Sequence, residues 1–246
     1  MSRYVPAFLQ GPRGMLILMA FAMAVSMNAW FALLNNFVVE RAAFTGKEIG
    51  FLQSIREIPG FLSFAAVLLL PFIREQNLAF LSLAMLGIGT ALTGYFPTEF
   101  GLYATTLLMS TGYHYYETMN QSLTLQLIDK KSAAVHLASQ MKAASLGTLA
   151  IFVVIMICFD EKLMLVVQAF FGVEDPFLGF NLGYVPLYVG AGLFTLAVAV
   201  FCRAYYPFYE GPELQTKTLF LRSRYWLYYA PTFMGGARRQ IFMVFA

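Results

Sequence analysis

The chain has 246 residues, of which 59% are hydrophobic and only 12% are charged, and its formal net charge is +3. Soluble domains carry about a quarter charged residues, so this composition excludes a soluble globule and predicts a polytopic membrane protein. The small positive charge needs no nucleic-acid partner, because membrane topology and anionic lipid account for the basic residues.

Continuous apolar runs predict an all-α membrane protein. A helix that crosses a hydrocarbon core of about 30 Å needs about 20 apolar residues, whereas barrel strands are short and alternate polar with apolar residues. The first run is too long for a signal peptide and has no small-residue cleavage pattern, so we expect it to be retained. The predicted spans, in chain order, are residues 15–38, 46–72, 78–96, 100–128, 133–159 and 184–201, with 225–246 as the beginning of a seventh.

The connections divide the chain into three parts. Residues 1–202 are predicted to form a six-helix bundle, 203–224 a cytoplasmic linker and 225–246 the start of a second bundle. Cys158 falls at the outer end of the fifth span and Cys202 at the inner end of the sixth, so a membrane thickness keeps the two thiols from forming a disulfide.

The distribution of Lys and Arg predicts a cytoplasmic N-terminus, because inner loops carry the excess of these residues. In this orientation the outer side holds only Arg41, Lys47 and Lys162. We therefore expect an integral multi-pass protein of the plasma membrane, here a bacterial inner membrane. The inner side holds Arg3, Arg13, Arg74, Lys130, Lys131, Lys142, Arg203, Lys217, Arg222 and Arg224.

Six helices, a basic inner linker and a seventh helix resemble the N-terminal half of a major facilitator superfamily (MFS) transporter with the start of its second half. The residues that carry the likeness are those of the second span, from Gly50 to Gly60, and the small and polar residues of the first span, Ser26, Met27, Asn28, Asn35 and Asn36. The loop at 71–77 departs from the family, since only Arg74 resembles its glycine-rich, basic pattern. The fifth span also lacks the Gly-Pro signature that antiporters often carry.

The resemblance implies a twelve-helix protein in which a second bundle completes the substrate cavity. We therefore expect the chain to be a fragment of that protein, or a half-sized protein that dimerises. Its expected partners are a small-molecule substrate, the lipid bilayer and either the missing C-terminal bundle or a second copy.

A polar stripe follows the fourth span. A carboxylate turned toward lipid costs roughly 2.5–3.5 kcal/mol on insertion scales, so we expect the stripe to face the interior of the bundle. Two interpretations of Glu117 and His114 stay open: helix–helix hydrogen bonding, or a proton carried by Glu117 and shared with His114. The residues that share this helix face are Thr106, Ser110, Tyr113, Glu117, Asn120, Gln121 and Thr124.

Arg56 and Glu57 lie in the second span. Because adjacent helical residues diverge by about 100°, we expect them not to pair with each other and predict that Arg56 pairs with Glu117. Pro59 and Gly60 weaken the helix beside them. A structural ion pair and a gating ion pair both fit this pattern.

Arg238 and Arg239 lie near mid-membrane if Tyr225 marks the inner boundary of the seventh span. Two adjacent cations there need anionic partners, which are either Glu57 and Glu117 or an anionic substrate held bidentately. The alternative is that both arginines end a short segment and face lipid headgroups.

The remaining candidate residues carry weaker signals. Asn28, Trp30 and Tyr113 are candidates to line a cavity, while His114 and Glu117 alone do not make a metal site. The pattern shows no nucleophile–base pair or metal cluster, so we expect neither an enzyme nor a cofactor. A seven-helix receptor is disfavoured by the cytoplasmic N-terminus.

We therefore predict a secondary active transporter of a small solute that works by alternating access and couples to protons through Glu117. The substrate class stays open, since aromatic and Met side chains suit an amphipathic compound whereas Arg56, Arg238 and Arg239 suit an anion. The alternative is a non-transporting scaffold or assembly factor on a transporter-like fold, which would show no substrate-dependent proton flux.

Overall fold

The computed structural model describes residues 9–160, 183–211 and 223–227. Over these ranges the chain is helical with connecting turns and contains no strand. A short 3₁₀ turn at Ser223–Tyr225 follows the last helix described. The α-helices are α1 (Gly11–Ala42), α2 (Gly46–Phe61), α3 (Ala65–Leu69), α4 (Glu75–Thr93), α5 (Glu99–Leu127), α6 (Ala133–Phe159) and α7 (Tyr184–Tyr205).

Four of these helices, α1, α4, α6 and α7, are long and apolar enough to cross a membrane. This finding confirms an all-α, multi-pass membrane protein. Helix α5 has 29 residues and sufficient length, but its polar stripe lowers its mean hydropathy. Helix α2 has 16 residues and is shorter than a bilayer requires.

The second span is interrupted, in contrast to the continuous run predicted at 46–72. Helix α2 ends at Phe61, two residues after Pro59, which has no N–H for the helical hydrogen-bond pattern. Beyond this point N–H groups donate to the carbonyl three residues back, as from Ser63 to Gly60 at 3.2 Å. This tighter 3₁₀-type bonding continues into α3.

A tight turn of three residues joins α1 to α2. Ala43 adopts the left-handed conformation at φ 53°, and its N–H donates to the carbonyl of Val38. Thr45 then caps α2: its N–H donates to the Glu48 carboxylate at 2.9 Å, and its hydroxyl accepts the N–H of Lys47. This reciprocal capping box fixes where the second helix begins.

The core lies where α1, α4, α5 and α7 meet, around large side chains such as Trp30, Tyr116 and Tyr188. Helices α4 and α7 approach most closely at Gly87 and Gly192. A Cβ atom on Gly192 would lie 2.3 Å from the carbonyl oxygen of Gly87, so the two backbones touch. Small residues allow this close approach, and within lipid, where the hydrophobic effect does not drive helices together, such packing stabilises the helix pair.

The main helix pairs follow a regular scheme. Helix α1 packs on α6 and α7, α5 packs on α2 and α4, and α4 packs on α7. If α1, α2 and α4 are exchanged with α5, α6 and α7 in order, each of these pairs becomes another pair of the set. Gly60 in α2 and Gly147 in α6 follow the exchange, since they lie equally far from the first residues of their helices and each meets the neighbour that the scheme requires.

Residues 206–211, which follow α7, fold back on the start of α4. The Gln76 side chain donates to the carbonyl of Pro207 at 2.9 Å and accepts the N–H of Tyr209 at 3.1 Å. The Arg74 guanidinium lies 4.3 Å from the centre of the Phe208 ring. This 206–211 segment is therefore packed against the bundle.

Candidate functional site

The polar face of α5 meets two different helices. Its middle part meets α2 through Ser110 and His114, whereas its C-terminal part meets α6 through Asn120 and Thr124. The stripe that the sequence presents as one face therefore contributes to two separate clusters.

The first cluster is built on Arg56, whose residue surface is only 4% exposed. Its Nη2 and Nε atoms donate to Glu57 Oε1 at 2.6 and 3.0 Å, and the Glu57 side chain is 33% exposed. The prediction that these neighbours do not pair is wrong, because the long Arg side chain bends back and a buried guanidinium strongly favours a counter-ion. Pairing of Arg56 with Glu117 stays a prediction.

Three helices meet at Arg56. The guanidinium carbon lies 4.7 Å from the centre of the Phe31 ring of α1, which is a cation–π distance. The Ser110 hydroxyl of α5 donates to the Arg56 carbonyl. The Arg56 guanidinium thus lies against an aromatic ring of α1 besides its carboxylate, while the main chain of the same residue bonds a hydroxyl of α5.

His114 completes this cluster. Its imidazole occupies the space left by Gly60, where a Cβ atom would lie 2.8 Å from His114 Cε1. Glu57 and Arg56 are both close enough to act electrostatically on the ring. The structure therefore brings together Arg56, Glu57 and His114, which the sequence assigned to the same pathway.

Glu117 lies on α5 three residues after His114 and is partly buried. Residues at this spacing lie on neighbouring positions of one helix face. Two ionisable side chains therefore follow each other along α5, and the first of them, His114, meets α2 at Gly60.

The second cluster joins α5 to α6. Asn120 Nδ2 donates to Gln140 Oε1 at 2.7 Å, and Gln140 Nε2 donates to Thr124 Oγ1 at 2.9 Å. Gln121 is exposed and lies outside this network. The sequence reasoning missed Gln140, although an amide in a membrane-spanning helix is a detectable signal of a cross-helix contact.

The candidates on α1 differ in their surroundings. Asn28 Nδ2 donates to Thr148 Oγ1 of α6 at 3.0 Å, so it joins two helices. Trp30 is 0% exposed and packs in the core, in contrast to the prediction that it lines a cavity. Ser26, also missed as a contact residue, donates to Thr195 of α7 at 2.8 Å.

An open cleft of about 430 Å³ lies between the N-terminal ends of α2 and α5. The Tyr103 hydroxyl donates to Glu99 at 3.0 Å, and the Phe51 and Tyr103 rings meet edge to face at 5.1 Å. Ser54 also lies in its lining, whereas Arg56, two residues later on α2, points to the opposite face of the helix and does not line the cleft. Lys47 and Glu48 complete its lining.

Two further predictions concern Arg238 and Arg239, which lie outside the residues that the structure describes. Tyr113 is partly buried, with its ring 5.0 Å from that of His114. Within the ranges described, no group of three or more His, Cys, Asp or Glu side chains is placed to hold a metal ion.

No protein-family model, curated protein or solved structure matches the chain. The resemblance to the MFS therefore stays a prediction.

Proposed function

We propose that the chain forms one bundle of an MFS-type secondary active transporter, which moves a small solute by alternating access and couples to protons. The observation that carries this proposal is the pair of the buried Arg56 with the partly exposed Glu57, with His114 beside it, at the junction of α1, α2 and α5. Ionisable groups among membrane helices are costly and are characteristic of substrate and proton paths.

The helix-pairing scheme supports the same proposal. Exchange of α1, α2 and α4 with α5, α6 and α7 is the relation expected of two three-helix repeats. Such repeats, placed around a site near the middle of the membrane, are typical of secondary transporters.

In the proposed mechanism Glu117 takes up the proton and His114, one turn away, shares it. The partly exposed Glu57 carboxylate balances the Arg56 charge while no substrate is bound. In this proposal, protonation of Glu117 removes a negative charge from the neighbourhood of the Arg56 guanidinium. The guanidinium then favours an anionic group of the substrate. Proton uptake and substrate binding are thereby linked.

The test uses the full-length protein in liposomes that contain a pH-sensitive dye, with a panel of anionic and amphipathic solutes. We expect Glu117→Gln to reduce substrate-driven proton movement about 10-fold or more, the low end of what general acid–base groups contribute. The matched control is Glu40→Gln, since Glu40 is an exposed carboxylate at the end of α1. Proton-coupled transport at the wild-type rate by Glu117→Gln, with normal insertion, would remove Glu117 from the mechanism.

A non-transporting scaffold is the second candidate. It is favoured by the polar side chains that serve helix contacts, namely Asn120 with Gln140 and Ser26 with Thr195. If no solute of the panel drives proton movement in the wild-type protein, while Gln140→Leu or Thr195→Val weakens the bundle, the scaffold is the better assignment.

A further inference from the structure

The N-terminus of α6 presents unsatisfied backbone donors. The helix has 27 residues, its N-cap residue Ser132 makes no side-chain capping bond, and its first turn contains no acidic residue. The first N–H groups of a helix have no partner within the helix, and they carry its positive dipole end. Such an end attracts an anion.

Basic side chains surround this helix end. Arg13 Nη2 of α1 donates to Ser132 Oγ at 2.8 Å, and the exposed Lys130 and Lys131 precede Ser132 in the turn. The acidic residue of the turn is Asp129, whose carboxylate accepts the backbone N–H of Lys131 at 3.2 Å. Three cationic side chains and one carboxylate therefore lie at or next to this helix end, and the local net charge is positive.

A buried side chain independently indicates a ligand. His136, in the first turn of α6, is 4% exposed, and its Nε2 atom has no hydrogen-bond partner among the residues that the structure describes. Arg13 is close enough to act electrostatically on it. A buried polar atom without a partner is rare, and a phosphate oxygen held at Arg13 and the start of α6 would accept a hydrogen bond from the Nε2–H of His136, which follows Ser132 by one helical turn.

An apolar surface begins at the same place. Val135 and Met141 are 70% and 71% exposed, and only 17% of the most apolar stretch of α6 is buried. An amphiphile fits this arrangement better than a free anion, because a charged end meets the helix terminus while acyl chains lie along α6. We propose that this end of α6 binds the phosphate of an anionic phospholipid. Basic pockets between helices at a membrane surface recognise such headgroups.

The experiment measures lipid adducts of the full-length protein by native mass spectrometry in detergent, during titration with phosphatidylglycerol. We expect Arg13→Gln to weaken binding about five-fold, the loss of one cation near the headgroup. Ser132→Asp should weaken it at least as much, because its carboxylate repels phosphate. Since Asp is also a good N-cap, this variant separates lost binding from lost folding. The matched control is Arg41→Gln, which removes an exposed cation from the opposite end of α1 and should leave binding unchanged.

Three results would overturn the proposal. Wild-type affinity in both Arg13→Gln and Ser132→Asp would show that this helix end does not hold the lipid. Equal binding of phosphatidylcholine, a phospholipid without net charge, would exclude a site selective for anionic lipid. Displacement of phosphatidylglycerol by inorganic phosphate would assign the site to a free anion. Transport activity is not part of the readout, so failure here is distinguishable from failure of the proposed transport function.

Discussion

Replacement of Gly192 by Ala tests the close approach of α4 and α7. The added Cβ atom would lie 2.3 Å from the Gly87 carbonyl oxygen and 2.5 Å from the Ala91 nitrogen. Both are backbone atoms, so no side chain can rotate to relieve the contact and the helices must separate by roughly 1 Å. Overpacking of this kind costs about 1–3 kcal/mol.

Gly190, two residues earlier in the same helix, is the matched control. A Cβ atom there meets nothing within 4 Å, so Gly190→Ala should gain about 0.5–1 kcal/mol from the better helix propensity of Ala. We therefore expect the two variants to differ by roughly 1.5–4 kcal/mol, or about 3–16 °C in melting temperature.

The assay is thermal unfolding of the purified full-length protein in one detergent, followed by intrinsic fluorescence. Equal melting temperatures for Gly192→Ala and Gly190→Ala would refute the backbone contact. A lower melting temperature in both variants would also contradict the structure, because a Cβ atom at Gly190 meets nothing within 4 Å.

Two other regions are open to test. Thr45→Ala removes the capping box of α2 and should cost about 1 kcal/mol of stability. Its melting temperature should be lower than that of the control Ser54→Ala, whose exposed hydroxyl bonds only the preceding turn of the helix. Equal melting temperatures would show that the cap does not stabilise the protein. Gln76→Ala leaves the Pro207 carbonyl and the Tyr209 N–H without their side-chain partner, at a cost of about 1–3 kcal/mol. Limited proteolysis within residues 206–211 should therefore be faster than in the wild-type protein. An unchanged cleavage rate would contradict the anchoring of this segment by Gln76.

The sequence predicted the helices well where apolar length decides the outcome. The span 133–159 coincides with α6, and the span 184–201 begins with α7, which continues to Tyr205. The break after Phe61 was not predicted. Pro59 and Gly60 were recognised as weakening the helix, but whether such a pair bends or ends a helix depends on the tertiary contacts that satisfy the backbone.

Partner choice was the part of the site that the sequence left undetermined. The period of α5 places its polar residues on one face, but it does not say that Ser110 meets α2 while Asn120 meets α6. The Arg56–Glu57 pair was missed for a related reason. The angle between adjacent helical residues fixes where their side chains start, whereas side-chain length and burial decide where the charged groups meet.

The contact at Gly87 and Gly192 makes the bundle mechanically uneven. Helices α4 and α7 touch through main-chain atoms, which have no rotamers to exchange, so we expect their spacing to stay fixed and the two helices to move together. Helix α2 instead meets α5 through the His114 ring, and its Arg56 side chain lies against Phe31 of α1. Those side chains can rotate, so compliance within the bundle is concentrated in the helix that carries the ion pair.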